Sequence, residues 1–223
     1  MRRLGYGKGM NDSLVEIIPG IGPEKEWGVI EERLNTVAPY TRWVQIDVAD
    51  NTWVPNTTFL DFAAFTPFAD KLSLEAHLMV ANPEKYIKAA ADAGFKRLIA
   101  HVEAHDPRLF LEQIKHEEVE AGIAIDGPTE FEQIEPFLEE VDFVLVMMVE
   151  SGFSGQPFLP ECVEKIKSIH NYLPDLPIEA EGGINKETAK IVQEAGATRL
   201  VPINYLFGDS ANIAAAIARL KTV

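Results

Sequence analysis

Eight short runs rich in Val, Ile, Leu and Ala alternate along this chain with eight longer stretches of helical periodicity, and no Pro/Gly/Ser-rich linker interrupts the series. The runs predict strands at 14–18, 43–47, 72–79, 97–101, 122–125, 143–148, 178–181 and 199–202. The stretches between and after them predict helices at 24–37, 59–68, 83–93, 107–120, 128–139, 160–171, 186–195 and 211–221. Several of these open on helix caps: Asn82-Pro83 and Asp106-Pro107 pair a side-chain acceptor with proline in the first turn, and Asn185 precedes Lys186. Glycine follows the last helical residue at Ala93-Gly94 and Ala195-Gly196. Eight β-then-α units in 223 residues predict an α/β fold, a single-domain TIM (β/α)8 barrel over residues 11–223. An open doubly wound sheet is the alternative, and residues 1–10 read as a flexible N-terminal tail without the apolar segment of a signal peptide.

Charge narrows the partners. Twenty Lys+Arg against 35 Asp+Glu give a net charge of −15, which disfavours nucleic acid and an anionic membrane surface alike. No apolar run reaches the roughly 18 residues of a membrane span. The one cysteine, Cys162, allows neither an internal disulfide nor a cysteine-based zinc cage, so a reducing, cytoplasmic location is expected. Cys162 reads as a buried, inert thiol, and the acidic stretches 112–120 and 130–140 read as solvated helix faces.

In a barrel, chemistry gathers where strands end and βα loops begin. The polar residues in and after the strands are Gln45 and Asp47, Glu75 and His77, His101 and Glu103, Asp126, and Glu181. Residues two apart on a strand share a face, so Gln45 with Asp47 and Glu75 with His77 each send two polar groups inward near the barrel mouth. Unpaired carboxylates there are costly, and a metal ion or a charged network is expected with them. Taken alone, His77 in its apolar run reads as a core histidine, while His101, Glu103 and Asp126 read as supporting residues.

At these residues the sequence resembles the ribulose-phosphate 3-epimerase family of TIM barrels. The resemblance is carried by Asp47-Val48-Ala49-Asp50-Asn51 with Val54-Pro55-Asn56, by His77-Leu78-Met79-Val80 with Asn82-Pro83-Glu84, and by His101-Val102-Glu103-Ala104. It continues in Gly152-Phe153-Ser154-Gly155-Gln156-Pro157-Phe158 and in Glu179-Ala180-Glu181-Gly182-Gly183-Ile184-Asn185. It implies a metal-assisted isomerase that inverts C3 of a ketopentose phosphate, in the pentose phosphate pathway, through an enediolate. It also implies a small phosphosugar as substrate, and a homo-oligomer.

By position, the resemblance implies Asp47 and Glu181 as the acid/base pair and Asp47, His77, Glu181 and Gln45 around a divalent metal ion, zinc, manganese or iron. Two of these positions depart from the family's pattern: Gln45 stands for a histidine and Glu181 for an aspartate. A neutral amide oxygen is a weak ligand for zinc and moves the preference toward a harder ion. The resemblance further implies substrate contacts from His77, Met79, Met147, Gly152, Phe153, Ser154, Gly155, Gly182, Gly183, Ile203 and Asn204. Ala49 replaces a methionine, which predicts a wider pocket there; Ile203-Asn204 replaces a Gly-Ser, which predicts crowding of the phosphate; and the first strand has no serine. Two other readings are a redirected barrel that binds a different small ligand, and a sugar-phosphate decarboxylase. The latter would place a lysine two residues after Asp47, where Ala49 stands.

Overall fold

A computed structural model of the chain describes residues 15–104, 106–152, 155–208 and 212–222. The expected tail, 1–10, and the start of the first predicted strand lie outside the described residues. The sheet contains β1 (Glu16–Ile17), β2 (Gly20–Ile21), β3 (Trp43–Ala49), β4 (Ser73–Met79), β5 (Arg97–His101), β6 (Glu120–Ile125), β7 (Phe143–Met147), β8 (Ile178–Glu181) and β9 (Arg199–Val201). Every pairing is parallel, and the order β1-β9-β8-β7-β6-β5-β4-β3-β2 joins both ends of the sheet to neighbouring pieces of chain.

Those two pieces are one stave. Pro19 lacks an N–H and interrupts the ladder between β1 and β2. The hydrogen bonds nevertheless run on: Ile18 N donates to Leu200 O (2.9 Å), Gly20 N to Pro202 O (3.1 Å) and Gln45 N to Pro19 O (3.0 Å). The stave therefore bonds β9 on one side and β3 on the other, and eight staves close the barrel.

The helices lie outside it: α1 (Trp27–Val37), α2 (Ile87–Asp92), α3 (Pro107–Ile114), α4 (Val163–Tyr172), α5 (Lys186–Ala195), α6 (Asn204–Phe207) and α7 (Ile213–Leu220). In α1 the buried residues are Ile30, Leu34 and Val37, the spacing of one helical face. α5 opens on a capping box between Asn185 and Thr188.

Several predicted helices are shorter or tighter than their periodicity suggests. The stretch 59–68 is a 3-10 helix (Phe62–Phe68), and single 3-10 turns precede α2 and α4. The prediction 107–120 overruns: α3 stops at Ile114, and Glu120 instead starts β6, where its carboxylate meets Arg97 Nε at 2.8 Å. The prediction 128–139 gives two 3-10 turns, Phe131–Gln133 and Glu135–Phe137, because Pro136 has no N–H to continue a helix. α6 was not expected at all.

Two apolar layers result. One packs helices on the sheet, and the other fills the barrel with Ile18, Trp43, Ile99, Ala124, Phe143, Leu145, Met147, Val149 and Val201. At the N-terminal end of the strands the interior is ionic. Arg97 lies over the Trp43 ring at 3.4 Å and pairs with Glu75 (3.3 Å), while Arg199 pairs with Glu179 (2.9 Å). Glu75 thus belongs to the barrel floor, not to the mouth beside His77. The register pairs Gln45 with Glu75 and Asp47 with His77, one layer above.

Candidate active site

The upper layer brings Asp47, His77 and Glu181 together, all buried, with one ligand atom from each within 4.8 Å of the others. β3 supplies Asp47, β4 supplies His77, and Glu181 comes from β8 across the barrel. His77 Nδ1 stands 3.2 Å from Glu181 Oε2 and 3.5 Å from Asp47 Oδ1. Gln45 bridges from below: its Nε2 donates to Asp47 Oδ1 (2.9 Å) and to Glu181 Oε2 (2.8 Å).

These neighbours split the titration of the two carboxylates. Burial, reinforced by Glu181, raises Asp47 above the usual range. Burial also pushes Glu181 upward, but His77 and the Gln45 amide outweigh it and hold Glu181 low. For His77, burial favours the neutral ring, yet Glu181 and Asp47 prevail and bring it to about 10.

The donors suit a divalent ion. His77 Nδ1 and Gln45 Oε1 are buried atoms without a hydrogen-bond partner. The former faces two carboxylates, and half a turn of the amide would offer the latter in place of Nε2. One imidazole nitrogen with carboxylate and amide oxygens is a set acceptable to zinc, manganese and iron.

Asp47, Glu181, Met79 and Met147 form part of the wall of a cavity of about 310 Å³ at the C-terminal ends of the strands. His77 and Gln45 are wholly buried behind that wall. The room expected at Ala49 is closed: Val54, from the loop after β3, packs on Ala49 and Met79.

Glycines shape the far side of the cavity. Gly182 and Gly183 have φ of 99° and 65°, and added Cβ atoms would lie 2.8 Å from Val149 Cγ2 and 3.0 Å from Phe158 Cβ, so both positive φ and close packing demand glycine. Gly152 O accepts from Asn56 Nδ2 at 3.0 Å. Phe153 and Ser154 lie outside the described residues. Ile203 lines this corner of the cavity and also packs on the first stave. Its Cγ1 and Cδ1 lie against Gly20, 2.7 Å and 3.1 Å from where a Cβ would stand, so the glycine on the first stave makes the space that Ile203 fills. Asn204 turns its Nδ2 toward Gly155.

Sequence reasoning gave no site role to Gly22, Pro23, Glu150, Ser151 or Tyr205, although Glu150 and Ser151 belong to the glycine-bearing loop after the sixth predicted strand. Pro23, Glu150, Ser151 and Tyr205 line the cavity, and Gly22 abuts the Asp47 side chain. The spaced pair Gly20-Ile21-Gly22 was the available signal, since glycine within a strand marks close approach by a neighbour.

Residues 25–207 match the Ribulose-phosphate 3 epimerase family. The chain is similar to the ribulose-phosphate 3-epimerase of Bacillus subtilis, 40% identical over 176 residues, 75% of this chain and 80% of that protein. It is similar also to the ribulose-phosphate 3-epimerase of Schizosaccharomyces pombe, 34% identical over 186 residues, 80% of this chain and 81% of that one. Among solved structures, KGPDC from Streptococcus mutans shares the fold with a TM-score of 0.71 at 14% identity, over 94% of this chain and 96% of that one. A 3-hexulose-6-phosphate synthase does so with a TM-score of 0.69 at 16% identity, over 93% and 97%. The matched span contains Asp47, His77, Glu181 and the glycines of the cavity wall, and with that coverage the chain belongs to the ribulose-phosphate 3-epimerase family.

Proposed function

We propose that the protein is a metal-assisted epimerase that inverts C3 of a ketopentose phosphate of the ribulose 5-phosphate type, in the cytoplasm. The observation that carries this reading is the buried Asp47, His77 and Glu181 cluster, whose two carboxylates stand on opposite staves and face one cavity. C3 inversion removes a proton from one face and returns one to the other, and a carboxylate on each wall does both. One of Asp47 and Glu181 takes the C3 proton, the other delivers a proton to the opposite face, and their roles exchange in the reverse direction.

Asp47, His77 and Glu181, with Gln45 as the fourth donor, would hold a divalent ion, and amide in place of imidazole favours manganese or iron over zinc. Such an ion supplies positive charge where the enediolate oxygens develop theirs. Met79 and Met147 present apolar walls to the sugar carbons. Among the described lining residues there is no lysine or arginine, so the phosphate is met by N–H groups of the glycine segments at Gly155 and Gly182-Gly183 and by the Asn204 amide. A decarboxylase would need its lysine at the position of Ala49, whose side chain is buried against Val54 and Met79.

Purified protein with Mn²⁺, Zn²⁺ or Fe²⁺ is expected to exchange the C3 proton of ribulose 5-phosphate with solvent deuterium, followed by proton NMR. Absence of exchange with all three ions would overturn the proposal.

A further inference from the structure

Behind His77 lies a hydrogen-bonded chain that the acid/base reading does not use. His77 Nε2 and His101 Nε2 are 2.6 Å apart, and both rings are wholly buried. The rings are nearly coplanar, 24° apart with centroids 4.9 Å distant, the arrangement of imidazoles meeting nitrogen to nitrogen rather than face to face. One proton lies between these nitrogens, and the other side of His101 shows which ring carries it.

His101 Nδ1 is 3.1 Å from Glu103 Oε2, while Glu103 Oε1 accepts from Asp126 N at 2.8 Å. An ionised carboxylate only accepts, so His101 Nδ1 is the donor. A neutral imidazole has a single N–H, which leaves His101 Nε2 as an acceptor and makes His77 Nε2 the donor. With Nε2 kept as a donor, the proton that His77 gives up to a metal ion is the one on Nδ1, the atom that faces Asp47 and Glu181.

Glu103 is itself held in place. Asp126, whose N–H it accepts, receives Ser151 N and Ser151 Oγ on Oδ1 at 2.7 Å each. Lys165 Nζ donates to the backbone oxygens of Asp126 (2.5 Å), Gly127 (2.7 Å) and Thr129 (2.8 Å). Trp53 closes over His101, with ring centroids 4.4 Å apart.

We propose that His101 is a positioning residue which, held by Glu103 in its Nδ1–H form, accepts from His77 and so presets His77 to bind a metal ion through Nδ1. This rests on reading Asp47, His77 and Glu181 as metal ligands. Outer hydrogen bonds to a ligating histidine fix its tautomer and ring orientation.

Two measurements test it. In metal-free protein labelled with ¹⁵N-histidine, NMR is expected to show His101 as the neutral Nδ1–H tautomer; an Nε2–H or doubly protonated His101 overturns the proposal. In Mn²⁺ titrations by calorimetry, His101→Asn keeps a donor for Glu103 but loses the acceptor for His77, and is expected to weaken binding about 10- to 100-fold. His101→Gln places an amide oxygen near the lost Nε2 and is expected to stay within about threefold of wild type. Equal affinity for wild type and His101→Asn overturns the proposal. Should His101→Asn not fold, Glu103→Ala replaces it, with at least about a tenfold loss expected and wild-type affinity again overturning the idea. If wild-type protein binds no Mn²⁺, the metal reading of the function fails and this inference with it; Mn²⁺ binding by wild type together with an Nε2–H or doubly protonated His101 overturns this inference alone.

Discussion

Gly22 offers the sharpest test of how the first stave supports the site. The register pairs Gly20 with Gln45 and Ile21 with Ile46, which sets Gly22 beside Asp47. A Cβ at Gly22 would stand 2.2 Å from Asp47 Oδ2 and 2.4 Å from Asp47 Cβ, against an ordinary contact of 3.4 Å or more. Rotating the carboxylate away relieves only the first contact. Asp47 Cβ is fixed to the β3 backbone, so in Gly22→Ala the two staves must part by about 1 Å, a misplacement that costs about 10²-fold at a reacting group. The overpacking itself costs about 1–3 kcal/mol, or about 2–12 °C in Tm for a chain of this size. The assay is C3 deuterium exchange well below Tm, alongside thermal unfolding. Gly28→Ala is the control: nothing lies within 4 Å of its Cβ position in α1, and removing a helical glycine should raise Tm by about 1–4 °C. If Gly22→Ala exchanges within about threefold of wild type, Asp47 does not act from the position described.

The contact between Gly20 and Ile203 predicts strong coupling. Gly20→Ser alone should destabilise, Ile203→Gly should relieve it, and a double-mutant cycle in denaturant should give about 0.5–3 kcal/mol; additive effects would count against the contact. Metal binding to the native state should raise Tm with Mn²⁺ concentration, by about 2.7 kcal/mol of stability at 100 times Kd, and a flat thermal scan series would refute it. Asp50 provides a pH signature away from the cavity. Burial raises its carboxyl, but hydrogen bonds from Thr52 and from Tyr86 OH (2.7 Å) outweigh this and hold it below its ordinary 3.8. With a depressed folded value, Asp50 stabilises fully above pH 3.8 and loses its contribution as pH falls through the lower folded value. The stability gap between wild type and Asp50→Asn should therefore narrow below that pH in urea titrations, and a constant gap would show that the hydrogen bonds do not favour the carboxylate.

How much of this was legible in the sequence depended on whether a feature was local. Alternation along β3 and β4 reveals which residues face the barrel interior, and so it pointed to Asp47 and His77. It does not reveal depth: Glu75 shares a face with His77 but lies about 6.6 Å farther down the strand, since two residues span that much. At that level Arg97 from β5 and Arg199 from β9 meet it and Glu179, an arrangement that only the closed sheet creates. Pro136 was readable as a helix breaker, whereas the end of α3 was not, because Glu120 joins the sheet through an arginine 23 residues earlier. The Gly20 and Ile203 contact is of the same kind, two residues at opposite ends of the chain that meet only in the closed barrel.

Closure of the barrel also changes what the net charge of −15 means for function. Glu75, Glu179, Arg97 and Arg199 bind one another on the floor, so that part of the charge is locally answered. The site above holds two carboxylates against one imidazole and faces a cavity with no lysine or arginine among its described lining residues. The envelope and the metal-free site therefore attract a divalent cation, and the envelope repels a sugar phosphate. On the proposed reading, the glycine N–H groups that hold the phosphate act only after arrival, while the long-range field opposes the approach. Salt screens the field over about 10 Å at 0.1 M and leaves buried contacts nearly untouched. Ionic strength should thus speed substrate association and slow metal capture, opposite responses from one chain because its charge is spread over the surface and the phosphate donors proposed for it are uncharged.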